Sequence, residues 1–398
     1  MQLPHALSRR RDYTGPAIFS FGFRPFFLGG ALSALLSLAI WITAFALGLS
    51  EIGGRPALTW HVHEMLFGFF AAIAVGFLLT AIPNWTVRLP ITGSGLAGLF
   101  GLWLLGRTIM MVPLPWHWVG ALLDSLFLAF FAAFVWREIL ASGNRRNLPV
   151  CLLITFLAAA NIAFHIFEGD PASLQIVTRA ALGVPAMLIS IIGGRIVPSF
   201  TRNWLVQQGQ AQRPTPAGLF DRFALIMAAA AFAGWVFFPF SIAVGALLVL
   251  AGSIHAIRLA RWCGWHARGE ALVWILHVGY GWLALAMLML GLSILVPETI
   301  LKSAAIHALT TGAMGVMILA VMTRATLGHT GHARTADGWT IAIYVLVIGA
   351  AILRVFGGLA PYAAYMPTLI STAILWGCAF GLFAVRYGPL LVKRRSTA

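Results

Sequence analysis

Trp60-His61-Val62-His63-Glu64-Met65-Leu66-Phe67-Gly68 opens an apolar run that continues to Ala81-Ile82-Pro83, long enough to cross a bilayer as a helix. Ionisable side chains inside such a run cost at least ~2.5 kcal/mol at the helix centre, so they face a protein interior or a functional pathway. Residues two apart on an α-helix point about 200° away from each other. His61 and His63 therefore cannot easily clasp one ion on an unbroken helix. They suit two sites on opposite sides of it, or one site and a hydrogen-bond network. Glu64 and Met65, at i+3 and i+4 from His61, share its face. Imidazole is the commonest ligand for transition metals and haem iron, which points to a polytopic redox-metal protein.

The rest of the chain extends this reading. Of its 398 residues 60% are hydrophobic and only 9% charged, and the mean hydropathy is +0.91. Soluble domains carry about 25% charged residues, so the composition is that of a membrane protein. Apolar windows set against ~20 residues per span predict an all-α bundle of about 12 transmembrane helices. Their expected limits are 26–49, 60–83, 93–112, 116–141, 148–167, 173–197, 219–239, 241–263, 269–295, 301–323, 338–359 and 364–388. They form a single integral-membrane domain over 1–398, with helices 1–6 over about 26–197 and helices 7–12 over about 219–388. The longest polar connection, about 201–221, is an expected cytoplasmic loop. No internal repeat stands out. Pro185 and Gly193-Gly194 suit a broken sixth helix.

Charge orients the bundle. Arg9, Arg10, Arg11 and Arg24 before or at helix 1, and most later arginines, bring 21 of the 26 basic residues to one side. The positive-inside rule makes that side, and both termini, cytoplasmic. The net charge of +15 is spread over short connections, so it is no nucleic-acid footprint. Cys151, Cys263 and Cys378 lie far apart without CxxC spacing, which suggests neither a disulfide framework nor a thiolate site. The polar, basic Met1–Gly15 shows no cleavable signal.

Topology sorts the histidines into two groups. His61, His63, His165 and His307 fall in the outer third of three helices, and are the candidate metal ligands. Asn161, one turn before His165, is placed to fix that imidazole's tautomer. Nearer the cytoplasm lie His277, His255, and, in an expected loop after helix 10, His329 and His332. Arg24, Arg195 and Arg324 surround this end, where guanidinium groups could pair with haem propionates. The competing readings are interfacial histidines, as for His5, His117 and His266, solvated loop residues for His329 and His332, and arginines reaching lipid phosphates. Met314, Met317 and Met322 read as packing residues.

Several stretches resemble the NnrS family of bacterial membrane proteins. They are Phe23-Arg24-Pro25-Phe26-Phe27, Trp60-His61-Val62-His63-Glu64-Met65-Leu66-Phe67-Gly68, Ala81-Ile82-Pro83-Asn84-Trp85-Thr86, Gly194-Arg195-Ile196-Val197-Pro198, Leu276-His277-Val278-Gly279-Tyr280, His307-Ala308-Leu309-Thr310 and Met322-Thr323-Arg324-Ala325-Thr326-Leu327-Gly328-His329-Thr330-Gly331. The resemblance implies a twelve-helix protein of the bacterial cytoplasmic (inner) membrane holding haem b and copper and associated with denitrification and nitric oxide. It raises the weight of His329, which lies in the most distinctive stretch. His61, His63, His277, His307 and His329, with Arg24, Arg195 and Arg324, are the expected cofactor-binding residues.

Two functions remain open on these grounds. One is binding of nitric oxide, and its removal or protection from nitrosative stress, at an outer histidine-ligated metal. Nitric-oxide reduction there would be oxidoreductase chemistry, and it would need an external electron donor because the chain has no CxxCH motif. The alternative is a twelve-helix transporter or a metal or haem delivery protein, with histidines holding cargo transiently. The midplane's poverty in acidic residues weighs against that second reading.

Overall fold

A computed structural model of the protein describes residues 13–357 and 365–394. Arg9, Arg10, Arg11, His5 and Arg395 lie outside the described residues. Twelve long helices account for most of what is described: α1 (Phe23–Ala46), α2 (Ala57–Thr86), α3 (Gly93–Ile109), α4 (His117–Ala141), α5 (Leu148–Ile166) and α6 (Pro171–Gln207). The others are α7 (Leu219–Phe237), α8 (Ile242–Ala260), α9 (Ala271–Leu295), α10 (Lys302–Thr330), α11 (Gly338–Phe356) and α12 (Tyr365–Val392). Eleven are long and apolar enough to cross a membrane. The exception, α3, has 17 residues and rises about 26 Å, short of a ~30 Å hydrocarbon core. The chain is an all-α polytopic membrane protein.

Between α1 and α2 the chain makes a small hairpin, β1 (Glu51–Ile52) with β2 (Arg55–Pro56), in antiparallel register Ile52↔Arg55. Gly53 and Gly54 turn it with φ of +59° and +76°. Two consecutive positive φ values define the turn that fits a two-residue hairpin, and glycine takes them without a Cβ clash. Trp60 then donates its indole N–H to Met110 O at 2.9 Å, fastening the start of α2 to the end of α3.

The helix limits differ from the hydropathy reading at two places. α6 runs ten residues past 197, through Pro198, to Gln207. It is not broken at Gly193-Gly194. It instead contains a π-helical stretch, Ile189–Gly193, so the main-chain bonding is shifted, not lost. α10 likewise continues to Thr330, ending at Gly331 with φ +86°. His329 therefore sits in the last turn of a helix and not in a loop. Polar residues misled hydropathy here, because Met322 to Thr330 is helix-compatible although no longer apolar.

π-Helical stretches also interrupt α2 at Glu64–Phe70 and α10 at Ala308–Gly315. Each begins on the residue after a histidine, His63 and His307. Such segments cost hydrogen-bond geometry and concentrate at functional sites.

The chain divides into two compact units. Among the described residues the first comprises 13–181, His329–His332 and 383–394, and the second Leu182–Gly328, 333–357 and 365–382. In the first, α1 packs on α2, α3 on α4, α4 on α5, and α2 on α4. The core there is aromatic, with Phe23, Phe26, Phe27, Phe67, Phe69, Phe131 and Phe164 all buried. In the second, α8, α9 and the π-helical part of α10 form the central contacts.

Candidate metal centre

Helices α2, α3, α4 and α5 of the first unit enclose a group of charged side chains that the surrounding apolar sequence gives no means of hydrating. His63, Glu64, Asp124 and Asn161 are buried, and His165 and Arg107 nearly so. His63 ends the first α-helical stretch of α2, and Glu64 opens the π stretch. The Asp124 carboxylate projects from the start of the third turn of α4. Asn161 and His165, one turn apart, come from the end of α5.

A carboxylate faces each ring nitrogen of His63. Glu64 Oε1 lies 3.2 Å from Nδ1, and Asp124 Oδ2 lies 3.1 Å from Nε2. Asp124 Oδ2 is also 3.0 Å from His165 Nε2 and accepts the Asn161 amide N–H at 3.0 Å. Asn161 Oδ1 stands 3.1 Å from His63 Nε2. Both imidazoles thus converge on one carboxylate oxygen, and their ring centroids are 4.9 Å apart.

Arg107 organises the two acids. Its Nη1 donates to Glu64 Oε1 at 2.6 Å, and its Nη2 donates to Asp124 Oδ1. Oδ1 is thereby taken, and Oδ2 is turned to the histidines. The guanidinium fits because two helix positions lack side chains. A Cβ on Gly68 would stand 2.5 Å from Arg107 Nη1, and one on Gly106 would stand 2.7 Å from Asp124 Oδ1. Close by on the same unit, Arg55 of β2 pairs with Glu168 at 3.0 Å.

The charge balance of the cluster says what it can hold. Two carboxylates against one guanidinium leave one net negative charge around two neutral imidazoles. An uncompensated charge away from water is costly, so the cluster favours a cation. His63 can supply it by carrying protons on both nitrogens. Alternatively its Nδ1–H donates to Glu64 while its Nε2 lone pair joins Asp124 Oδ2 and His165 Nε2 around a metal ion. His63, Asp124 and His165 each offer one donor atom, all within 4.8 Å of one another. A histidine ligand whose other nitrogen donates to a carboxylate is the usual outer-sphere arrangement of metal sites.

A family model described as NnrS protein matches residues 17–395. The chain belongs to the NnrS family. No curated protein matches it significantly. In this NnrS protein the other residues expected from sequence lie in varied settings. His61 points away from His63, as helical phase requires, and stacks on Trp41 with centroids 4.3 Å apart. Glu64 Oε1 meets the ring of its neighbour His63. Asn161 bonds Asp124 and His63, not His165.

His307 is half-buried in the second unit, and its Nδ1–H donates to Ser303 O at 2.7 Å, which puts the lone pair on Nε2. His277, also in the second unit, has Nε2 2.8 Å from Thr201 Oγ1. His329 packs in the first unit against Phe23 and Phe21, with centroids 5.4 and 6.2 Å away. Arg24 is buried, and its Nη1 donates to the carbonyls of Leu390, Leu391 and Lys393 at 3.2, 2.7 and 2.7 Å. It caps the end of α12, where a cation also meets the negative end of the helix dipole. Arg324 lies 4.0 Å over the Phe200 ring, and Arg195 is half-buried just beyond the π stretch of α6.

Sequence reading missed Asp124 and Arg107 altogether. Each is a lone charge inside an apolar window, and opposite charges in neighbouring spans are the signal that would have paired them. It also took Arg258 for a topology signal. In the second unit Arg258 is buried and donates to Asp221 Oδ1 at 2.8 Å, Ser190 O at 2.9 Å and Tyr280 OH at 2.8 Å. Beside it the buried His255 donates from Nδ1 to Ala251 O at 2.9 Å, with Nε2 3.2 Å from Ser190 Oγ. Every group in this second network has a protein partner, which marks it as a tie among α6, α7, α8 and α9.

Proposed function

We propose that this NnrS-family protein is a bacterial inner-membrane metalloprotein that binds nitric oxide and contributes to its removal, at a transition-metal ion held by His63, Asp124 and His165. The observation that carries the reading is the convergence of His63 and His165 on Asp124 Oδ2 while Glu64 faces the other nitrogen of His63. Two imidazoles and a carboxylate suit a redox-active first-row ion, which when bound supplies a coordination position for a diatomic ligand and an exchangeable electron.

The chain's own residues then have distinct tasks. Arg107 donates to both acids and leaves Asp124 Oδ2 facing the histidines. Glu64 orients His63. Asn161 holds Oδ2 through its N–H and faces His63 Nε2 with its carbonyl oxygen. Phe67 and Phe164, with ring centroids 5.3 and 5.4 Å from His63, exclude bulk water. An external donor would supply the electrons of any reduction.

Haem, which the family implies, does not fit this cluster. The donor atoms lie within 4.8 Å of one another, and Phe67 and Phe164 pack against His63, which is too close for a macrocycle. His255 has both nitrogens in hydrogen bonds, so it offers none to haem iron.

The test is nitric oxide added to the reduced, detergent-purified protein, with the absorption and paramagnetic resonance spectra of wild type and His63→Ala compared. A nitric-oxide-dependent change that the variant lacks supports the reading, and identical responses reject it.

A further inference from the structure

The geometry points to non-haem iron(II) as the ion at His63, Asp124 and His165, an inference that rests on the metal centre proposed above and names its occupant. The donor set is two imidazole nitrogens and one carboxylate oxygen, with no thiolate in the cluster among the described residues. Copper(I) seeks soft sulfur ligands, and copper(II) a square plane of four strong donors. Neither is offered here. Two histidines and one carboxylate on one side of an ion, with the remaining positions open, are the pattern that selects iron(II).

Asp124 Oδ2 stands 3.1 Å from His63 Nε2 and 3.0 Å from His165 Nε2. The three donor atoms lie within 4.8 Å of one another, close enough for one ion to draw on all of them.

Arg107 adds a constraint. With Oδ1 engaged by its guanidinium, Asp124 would bind through one oxygen only, so the protein would supply three donors and leave the ion's coordination incomplete. The ion's two positive charges exceed the cluster's single negative one. The excess favours an anionic or strongly electron-accepting small ligand at an open position. Nitric oxide on reduced iron is such a ligand.

The experiment compares wild type with Asp124→Asn and His165→Gln, purified without oxygen, with insertion and folding checked by gel filtration. Haem iron is counted by its pyridine complex, non-haem iron with a ferrous chelator, and copper and zinc by mass spectrometry. Non-haem iron in wild type that both variants lose, with copper unchanged, is the expected result. Loss of copper or zinc instead would overturn iron while leaving a metal centre at these residues. Unchanged metal in both variants would overturn the iron and the centre together. If neither variant folds, wild type decides: nitric oxide added to the reduced protein should give the resonance of high-spin ferrous iron carrying nitric oxide, distinct from haem. Its absence would overturn the assignment.

Discussion

His63 and His165, from α2 and α5, bring their imidazole rings to a centroid separation of 4.9 Å with a single carboxylate oxygen of Asp124 between them. Nothing in the local sequence of either helix requires this meeting. It depends on α4 placing Asp124 between them, and on Arg107 holding that carboxylate from its far side.

Arg107 is therefore the most sensitive structural position in the cluster. Replacing it by alanine leaves Glu64 and Asp124 buried without their common cation. We expect Arg107→Ala to destabilise the protein by about 3–5 kcal/mol, the cost typical of stranding half of a buried ion pair. Lysine should recover only part of this, because one ammonium cannot fork to two carboxylates. Thermal unfolding in detergent checks the order wild type, lysine, alanine.

Gly106 offers a subtler perturbation. An added Cβ would stand 2.7 Å from Asp124 Oδ1, so Gly106→Ala should push the carboxylate off its position at a cost of about 1–3 kcal/mol. The metal content should fall although every ligand is retained. Gly98, where a Cβ meets nothing within 4 Å, is the matched control, and Gly98→Ala should leave metal content unchanged.

Arg24 should behave differently from a cofactor residue. Its three carbonyl partners at the end of α12 predict that Arg24→Ala loses about 1.5–3 kcal/mol of stability through charged hydrogen bonds. Haem content per folded protein should be unaltered. Measuring haem absorbance against unfolding temperature separates this from a propionate-binding role, which would lower haem first.

These cases show how far the sequence could be read. Twelve helices and their membrane character were legible because ~20-residue apolar windows are a strong one-dimensional signal. The divergence of His61 from His63 was legible from helical phase. The three π stretches were not, since one inserted residue leaves no mark on hydropathy. His329 was misplaced because helix and span end at different residues in α10. Asp124 and Arg107 were passed over because each is one charge in an apolar background, and only three-dimensional packing reveals that they face each other.

The contrast between His61 and His63 tests the central claim most directly. The transition-metal content of anaerobically purified His61→Ala and His63→Ala, each normalised to folded protein, is the measurement. The account predicts that His63→Ala loses the ion held with Asp124 and His165. His61→Ala, which removes a ring stacked on Trp41, should keep that ion. Equal metal content in His63→Ala and wild type would contradict it.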